Sequence, residues 1–260
     1  MPKKKGTKQS ERHVEAVLAT LAILDTFLQG SNQSLKQIID KTLLTRNRVL
    51  RLAGTLETCG YLVRDPQSKS YDLGPKILSL GKVFERQSSL ATLARPILRA
   101  LAQTTGESAS IYVPDNFSRV VLVREEGTKD VRLAVTEGER MPLHGGASGK
   151  VILSFGPPEI REKILSRKRL PRLAPGTVTD PAKLLADLEK VKARGYAQSL
   201  GERVADAGAV AAPIFGPENR FLGALGIAGP IHRFTPKTLP SRIKMVMAAA
   251  RELRRKLGKI

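Results

Sequence analysis

Thr45-Arg46-Asn47-Arg48-Val49-Leu50-Arg51-Leu52-Ala53-Gly54-Thr55-Leu56-Glu57-Thr58-Cys59 is the stretch on which the reading of this chain turns. Wound at about 100° per residue, it brings Val49, Leu52, Ala53 and Leu56 together on one side. Asn47 and Arg51 point the opposite way with Thr58 beside them, and Arg46 and Arg48 flank the apolar stripe. Thr45 can cap the start, and Gly60 closes the end. The spacing predicts a helix with one apolar ridge to bury and one polar face to expose.

Upstream, Val14, Val17, Leu18, Leu21, Ile23, Leu24, Phe27 and Leu28 recur at helical spacing and stop before Gly30. Ser34 is a candidate N-cap for a short second helix carrying Leu35, Ile38 and Ile39 to about Thr42. Downstream, Tyr61-Leu62-Val63 and Tyr71-Asp72-Leu73 flank the turn-rich segment Asp65-Pro66-Gln67-Ser68-Lys69-Ser70, a hairpin pattern. Three short helices and then a small hairpin is the order of a winged helix-turn-helix. Pro75 to Arg86 reads as a connecting helix, and Gln87-Ser88-Ser89 as a hinge.

From Leu90 onward the pattern changes. A helix from Leu90 to Thr105 precedes short strands expected at Ser108–Val113, Val120–Glu125 and Val131–Thr136. Helices follow around Gly149–Phe155, Pro158–Ser166 and Pro181–Arg194. Strands at Val210–Phe215 and Phe221–Ala228 lead to a final helix from Pro236 to Leu257. The mixture indicates an α+β domain. The expected division is 1–74 for the winged helix, 75–89 for the linker and 90–260 for the second domain.

Composition narrows the partners. The net charge of +20 favours polyanions, nucleic acid first among them. It does not say which half meets them, because residues 1–86 carry 15 Lys and Arg against 8 Asp and Glu, and the remainder 29 against 16. The basic start, MPKKKGTKQSERH, is not followed by a signal-peptide apolar region. The apolar segment from Val14 to Leu28 carries Glu15 and Asp25, and no stretch reaches the roughly 18–20 apolar residues of a membrane span. One cysteine, Cys59, excludes an internal disulfide and fits a reducing compartment, so the expected location is cytoplasmic. Cys59 itself is expected to be a small core residue. His13, His144 and His232 lack partners at metal-ligand spacing, so no metal is expected. The C-terminal cations Arg251, Arg254, Arg255, Lys256 and Lys259 suit the negative end of a helix dipole.

The polar face of the third helix has the chemistry to read duplex DNA. Arginine can bond guanine O6 and N7 in bidentate fashion, and asparagine can do the same at adenine N6 and N7. In helix-turn-helix proteins the first turns of the second helix of the motif enter the major groove. The candidate DNA-binding residues are therefore Thr45, Arg46, Asn47, Arg48 and Arg51, with Lys69 on the wing. Arginines can also simply solvate an exposed helix face; the element order favours DNA.

In the second half, Gly145-Gly146-Ala147-Ser148-Gly149-Lys150 opens a helix after a loop. Small residues admit a ligand close to the backbone, and free N–H groups at a helix start favour an anion. It is not a nucleotide P-loop, since His144 stands where the first glycine should be and Val151 where Ser or Thr should follow. Ser148 and Lys150, two apart on a helix, do not face each other as a nucleophile pair would. No catalytic residue or cofactor is expected.

These motifs resemble the IclR family of bacterial transcriptional regulators over roughly Val14 to Phe234. The resemblance rests on Thr45–Leu52, Leu56, Gly60-Tyr61-Leu62 and Tyr71-Asp72-Leu73-Gly74. It continues through Pro142-Leu143-His144, Ala147–Lys150, Arg194-Gly195-Tyr196-Ala197, Ala211–Phe215 and Gly229-Pro230. It implies a GAF-like α/β effector-sensing domain at the C-terminus, and a homodimer, or a homotetramer built through the sensor domains, on a palindromic operator. One departure is Leu43, where the family often has glycine; a leucine there is expected to avoid positive φ and alter the turn.

The family's pocket commonly has an Asp, a Cys and two Ser at positions matching Ser199, Ala209, Gly226 and Ala228. Three of the four are side-chain-poor here. That implies either a repacked core or a roomier pocket for a larger, partly apolar acid of the aromatic kind. The candidate effector-binding residues are Gly145, Gly146, Ala147, Ser148, Ser199, Ala209, Gly226 and Ala228. Two other functions remain open: an enzyme acting on a small carboxylate with an accessory N-terminal module, and a non-specific basic nucleic-acid-binding protein.

Overall fold

A computed structural model describes residues 13–258; the basic residues 1–12 and Lys259 lie outside the described residues. The chain divides into two compact units between Glu85 and Arg86.

The first unit begins with α1 (Glu15–Asp25), which runs into a 3₁₀ turn over Thr26–Gln29. Ser34 starts α2 (Leu35–Thr42) with a full capping box: its hydroxyl accepts from the Gln37 N–H, and the Gln37 side chain accepts from the Ser34 N–H at 2.8 Å. After a tight turn comes α3 (Arg46–Thr58), whose Val49, Ala53 and Leu56 are buried against Ile23, Phe27, Ile38, Leu62 and Tyr71. Val49 and Leu56 each contribute roughly 1.5–3 kcal/mol when fully buried, which fixes the roll of α3 about its axis. The wing is β1 (Leu62–Arg64) paired antiparallel with β2 (Tyr71–Leu73). Gln33 adds a third, single-residue rung by exchanging both backbone hydrogen bonds with Tyr71 at 2.9 Å. Gly74 is required at the wing's exit, because a Cβ there would lie 2.2 Å from the Gly60 carbonyl oxygen. Next is α4 (Pro75–Gln87).

Two expectations for this unit need correction. Leu43 does adopt the left-handed conformation, at φ 58° and ψ 20°, with its N–H bonded to the Ile39 carbonyl. The end of α2 dictates that backbone, and a side chain that is 89% exposed meets no clash to forbid it. Cys59 is exposed, not a core residue. Gly60, at φ 80°, turns the chain immediately after it, so that Leu62 fills the core instead.

The second unit opens with α5 (Ser89–Thr105), capped by the Ser88 hydroxyl. Its sheet contains β3 (Ser108–Asp115), β4 (Ser118–Glu125), β5 (Arg140–Pro142), β6 (Ala197–Leu200), β7 (Ala207–Phe215) and β8 (Phe221–Pro230). The order is β5-β4-β3-β8-β7-β6, antiparallel throughout. Helices cover both faces. Val210, Ala212 and Ile214 of β7 face α5 and α9 (Leu239–Leu257). Their alternate neighbour Ala211 faces α6 (Ala147–Phe155), α7 (Pro158–Leu165) and α8 (Pro181–Arg194). A bulge pairs Ile111 with Val123 but Tyr112 with Val121, so Val123 and Val121 enter different cores although only two residues apart. This is the GAF-like α/β domain expected from the sequence. Among the described residues no helix is long and apolar enough to cross a membrane.

The strand expected over Val131–Thr136 is absent. β5 takes the edge position beside β4, and the 131–136 backbone bonds to side chains instead: the Leu133 carbonyl accepts from Arg124 and the Thr136 N–H donates to Glu139. β6 went unpredicted because Ala-Gln-Ser-Leu has no β-branched or aromatic residue. The last helix begins at Leu239, after a turn closed by the hydroxyls of Thr235 and Thr238.

Replacing Leu43 by glycine removes a left-handed strain of roughly 1–2 kcal/mol at a chain-entropy cost of about 0.5–1 kcal/mol. Leu43→Gly is therefore expected to stabilise the protein by about 0.5–1 kcal/mol in urea unfolding. A loss of stability would show that the turn is not left-handed.

Candidate nucleic-acid interface and ligand pocket

Burial of the Val49, Ala53 and Leu56 ridge leaves Thr45, Arg46, Asn47 and Arg51 exposed along the first two turns of α3. Thr45 occupies the N-cap position but makes no side-chain capping bond. Arg48 is half-buried and pairs with Glu15 of α1 at 2.9 Å, so it braces α3 against α1 as well as lying near the polar face. Lys69 stands exposed on the wing turn in a left-handed conformation. That turn is tied by the Asp65 carboxylate, which accepts from the Gln67 N–H at 2.7 Å. This bond, with the Ser68 hydroxyl, holds the Asp65 carboxyl below its ordinary pKa. The first unit thus presents a helix end and a basic wing tip with no negative side chain among its six candidate residues.

In the second unit a small cavity of about 40 Å³ opens between the start of α6 and the sheet. Six of the eight expected residues line it: Gly146, Ala147 and Ser148 from α6, and Ser199, Ala209 and Ala228 from neighbouring strands. The strand residues meet in register, Ser199 opposite Ala209 and Ala209 opposite Ala228. Gly145 and Gly226 are not part of the lining. Gly145 sits under Leu173, and a Cβ on Gly226 would lie 2.6 Å from the Val210 carbonyl oxygen, so both glycines serve close packing.

Sequence reasoning missed the remaining walls. Tyr112, Leu133, Val135 and Met141 supply largely apolar lining, and Arg119 and Arg203 stand near the α6 N-terminus. The anion expected at that N-terminus is in part the chain's own. Glu202 accepts from the Gly146 N–H at 3.1 Å and from the Lys150 ammonium at 2.6 Å, and Lys150 also reaches Asp187 at 2.9 Å. Ser148 faces the cavity while Lys150 is buried against these two carboxylates.

Arg119 is buried, and desolvation pushes its guanidinium down to about 10, so it remains a cation at neutral pH. Burial likewise lowers the His144 imidazole, with the charges of Arg119 and Arg167 adding to the effect and the Pro171 carbonyl at 2.9 Å opposing it. Signals for Arg119 were faint: it shares the strand face of Val121 two residues on, a cation in phase with a core residue.

Comparison with known proteins identifies the family of both domains. The family description "Bacterial transcriptional regulator IclR C-terminal" matches residues 84–255, and "IclR helix-turn-helix domain" matches residues 16–66. The chain belongs to the IclR family. It is 32% identical over 244 residues to the HTH-type transcriptional regulator KipR of Bacillus subtilis, covering 94% of this chain and 97% of that one. It is 32% identical over 240 residues to the regulator BhcR of Paracoccus denitrificans, covering 92% and 86%. A crystal structure of an IclR homolog from Microbacterium hydrocarbonoxydans, complexed with 4-hydroxybenzoate, aligns at a TM-score of 0.82 and 26% identity over 94% of this chain and 99% of that one. As an IclR-family protein, the chain is a DNA-binding transcriptional regulator with an effector-binding domain.

Gly149 lets α6 close on the pocket wall. A Cβ there would lie 2.1 Å from the Leu143 carbonyl oxygen and 2.4 Å from an Arg119 Nη. Gly149→Ala is expected to cost about 1–3 kcal/mol of stability through overpacking, read as a lower melting temperature. An unchanged melting temperature would contradict this contact.

Proposed function

We propose that this chain reads a palindromic operator through α3 as a homodimer, able to pair into a homotetramer, and that a carboxylic acid held in the C-terminal cavity sets its affinity for that DNA. In this reading residues 1–74 bind DNA, 75–89 link the domains and 90–260 sense the acid, all in the cytoplasm. One observation carries it: α3 hides its apolar ridge and leaves Arg46, Asn47 and Arg51 free at the helix start, the part that enters a major groove in helix-turn-helix proteins.

Dimerisation is supported by apolar side chains left exposed in the first unit. On the α1 side Val14, Val17, Leu18 and Leu21 form one stripe at helical spacing, and α4 exposes Leu78, Val83 and Phe84. A two-fold dimer then calls for two half-sites separated by whole turns of DNA. The acid acts by binding two arrangements of the dimer unequally, since a ligand indifferent to both would shift nothing.

A larger, partly apolar acid is supported by the apolar lining at Leu133, Val135 and Met141 and by the small residues Ala209 and Ala228. The IclR homolog that holds 4-hydroxybenzoate points the same way. Sensing without catalysis fits Lys150, which is committed to Asp187 and Glu202 and cannot serve Ser148 as a base.

In gel shifts on the DNA upstream of the gene, Arg51→Ala is expected to weaken specific binding by roughly 1–3 kcal/mol and to relax sequence choice. Lys4→Ala, in the N-terminal tail, should weaken all DNAs about equally. Equal effects of both changes on specific and random DNA would make the protein a non-specific nucleic-acid binder. In calorimetry, 4-hydroxybenzoate is expected to bind more tightly than glyoxylate or pyruvate; the reverse order would overturn the proposed effector class.

A further inference from the structure

A cation inside protein needs a counter-charge, because loss of water is otherwise uncompensated. The second unit obeys this at Arg124, which reaches Glu126 at 2.8 Å, at Lys150, and at Arg242, which reaches Glu107 at 3.1 Å. Arg119 breaks the pattern. It is only 2% exposed, yet among the described residues it has no carboxylate within ion-pair distance. Its neighbours are the Pro142 carbonyl, which accepts from Nη1, the Met141 sulfur 3.9 Å from Nη2, and the Tyr112 ring at 5.8 Å. Its Nε–H has no acceptor. This unpaired cation also borders the cavity.

Its position is specific. Nη2 would lie 3.2 Å from a Cβ on Gly146, so the guanidinium rests against the first turn of α6, where the helix dipole is positive. Arg203, half-buried, lines the same end and makes no ion pair among the described residues. The nearby Glu202 is engaged by Lys150 and by the Gly146 N–H. Two arginines and a helix N-terminus therefore border a cavity whose lining also includes the apolar side chains of Leu133, Val135 and Met141.

We infer that Arg119 is the counter-ion for the effector's carboxylate, with Arg203 flanking it, and that this pair makes the pocket select acids over neutral molecules of the same shape. The inference rests on reading this cavity as the effector site. It places the carboxylate against Arg119 and the start of α6, and the apolar body toward Leu133 and Val135. It also makes Arg119 a residue kept for binding at the expense of the ligand-free protein's stability.

The test uses the full-length protein, with benzoate, 4-hydroxybenzoate and their amides as probes, by calorimetry and thermal unfolding. The wild type should bind the acids on the order of tenfold or more tightly than the amides. Arg119→Met should lose this preference while melting, without ligand, at or above the wild-type temperature. Arg119→Lys, which keeps the charge but not the planar fork, should bind the acids less tightly than the wild type and still prefer them to the amides; it serves alone should the Met variant fail to fold. Acids bound as tightly by Arg119→Met as by the wild type, or by Arg119→Lys with no discrimination against amides, would overturn the assignment. If the wild type binds acids and amides equally, the cavity stands as the effector site and Arg119's role falls. If it binds neither, both fall.

Discussion

A helix has only one circumference to divide between core and surface. In α3 the buried positions Val49, Ala53 and Leu56 consume one side, packed on α1, α2 and the wing. With that side fixed, Arg46, Asn47 and Arg51 have nowhere to go but outward. The face proposed to read DNA is thus a consequence of apolar packing on the far side of the same helix, and any change that rotates α3 would remove the face without touching a polar residue. Arg48 shows how narrow the division is, since it lies on the border and pairs with Glu15.

The sensing unit works under a different constraint. Its sheet is covered on both faces, so space can survive only where short side chains leave it. Ser199, Ala209 and Ala228 sit side by side on three paired strands, and Ala147 and Ser148 face them from α6. The polar end of that space combines backbone N–H groups with charges drawn from distant parts of the chain. Lys150 is shared there by Glu202 and Asp187, and Arg119 lies beside them with no carboxylate in ion-pair contact among the described residues.

What the sequence disclosed follows from how local each feature is. α2, α3 and the hairpin were legible because caps, periodicity and turn residues all lie within a few positions of one another. The α6 start was legible for the same reason, as were three of the four strand positions beside the cavity through the family resemblance, Gly226 being the exception. Arg119 was not, because its meaning depends on Gly146, Gly149 and Met141, brought beside it only by the fold. Leu43 and Cys59 went astray in opposite ways. Local preference argued against a left-handed leucine, and helix packing overrode it; residue type argued for a buried cysteine, and the Gly60 turn left it outside. The segment around Val131–Thr136 has strand-like composition, but the Arg124 and Glu139 side chains take its backbone hydrogen bonds in place of a neighbouring strand.

Reading of base sequence in duplex DNA by two copies of α3 is tested most directly by repeated selection from a random duplex library with the purified, ligand-free protein. The expected result is recovery of an inverted repeat whose half-sites lie a whole number of helical turns apart, about 10–10.5 base pairs per turn. Recovery of duplexes with no shared sequence would contradict it.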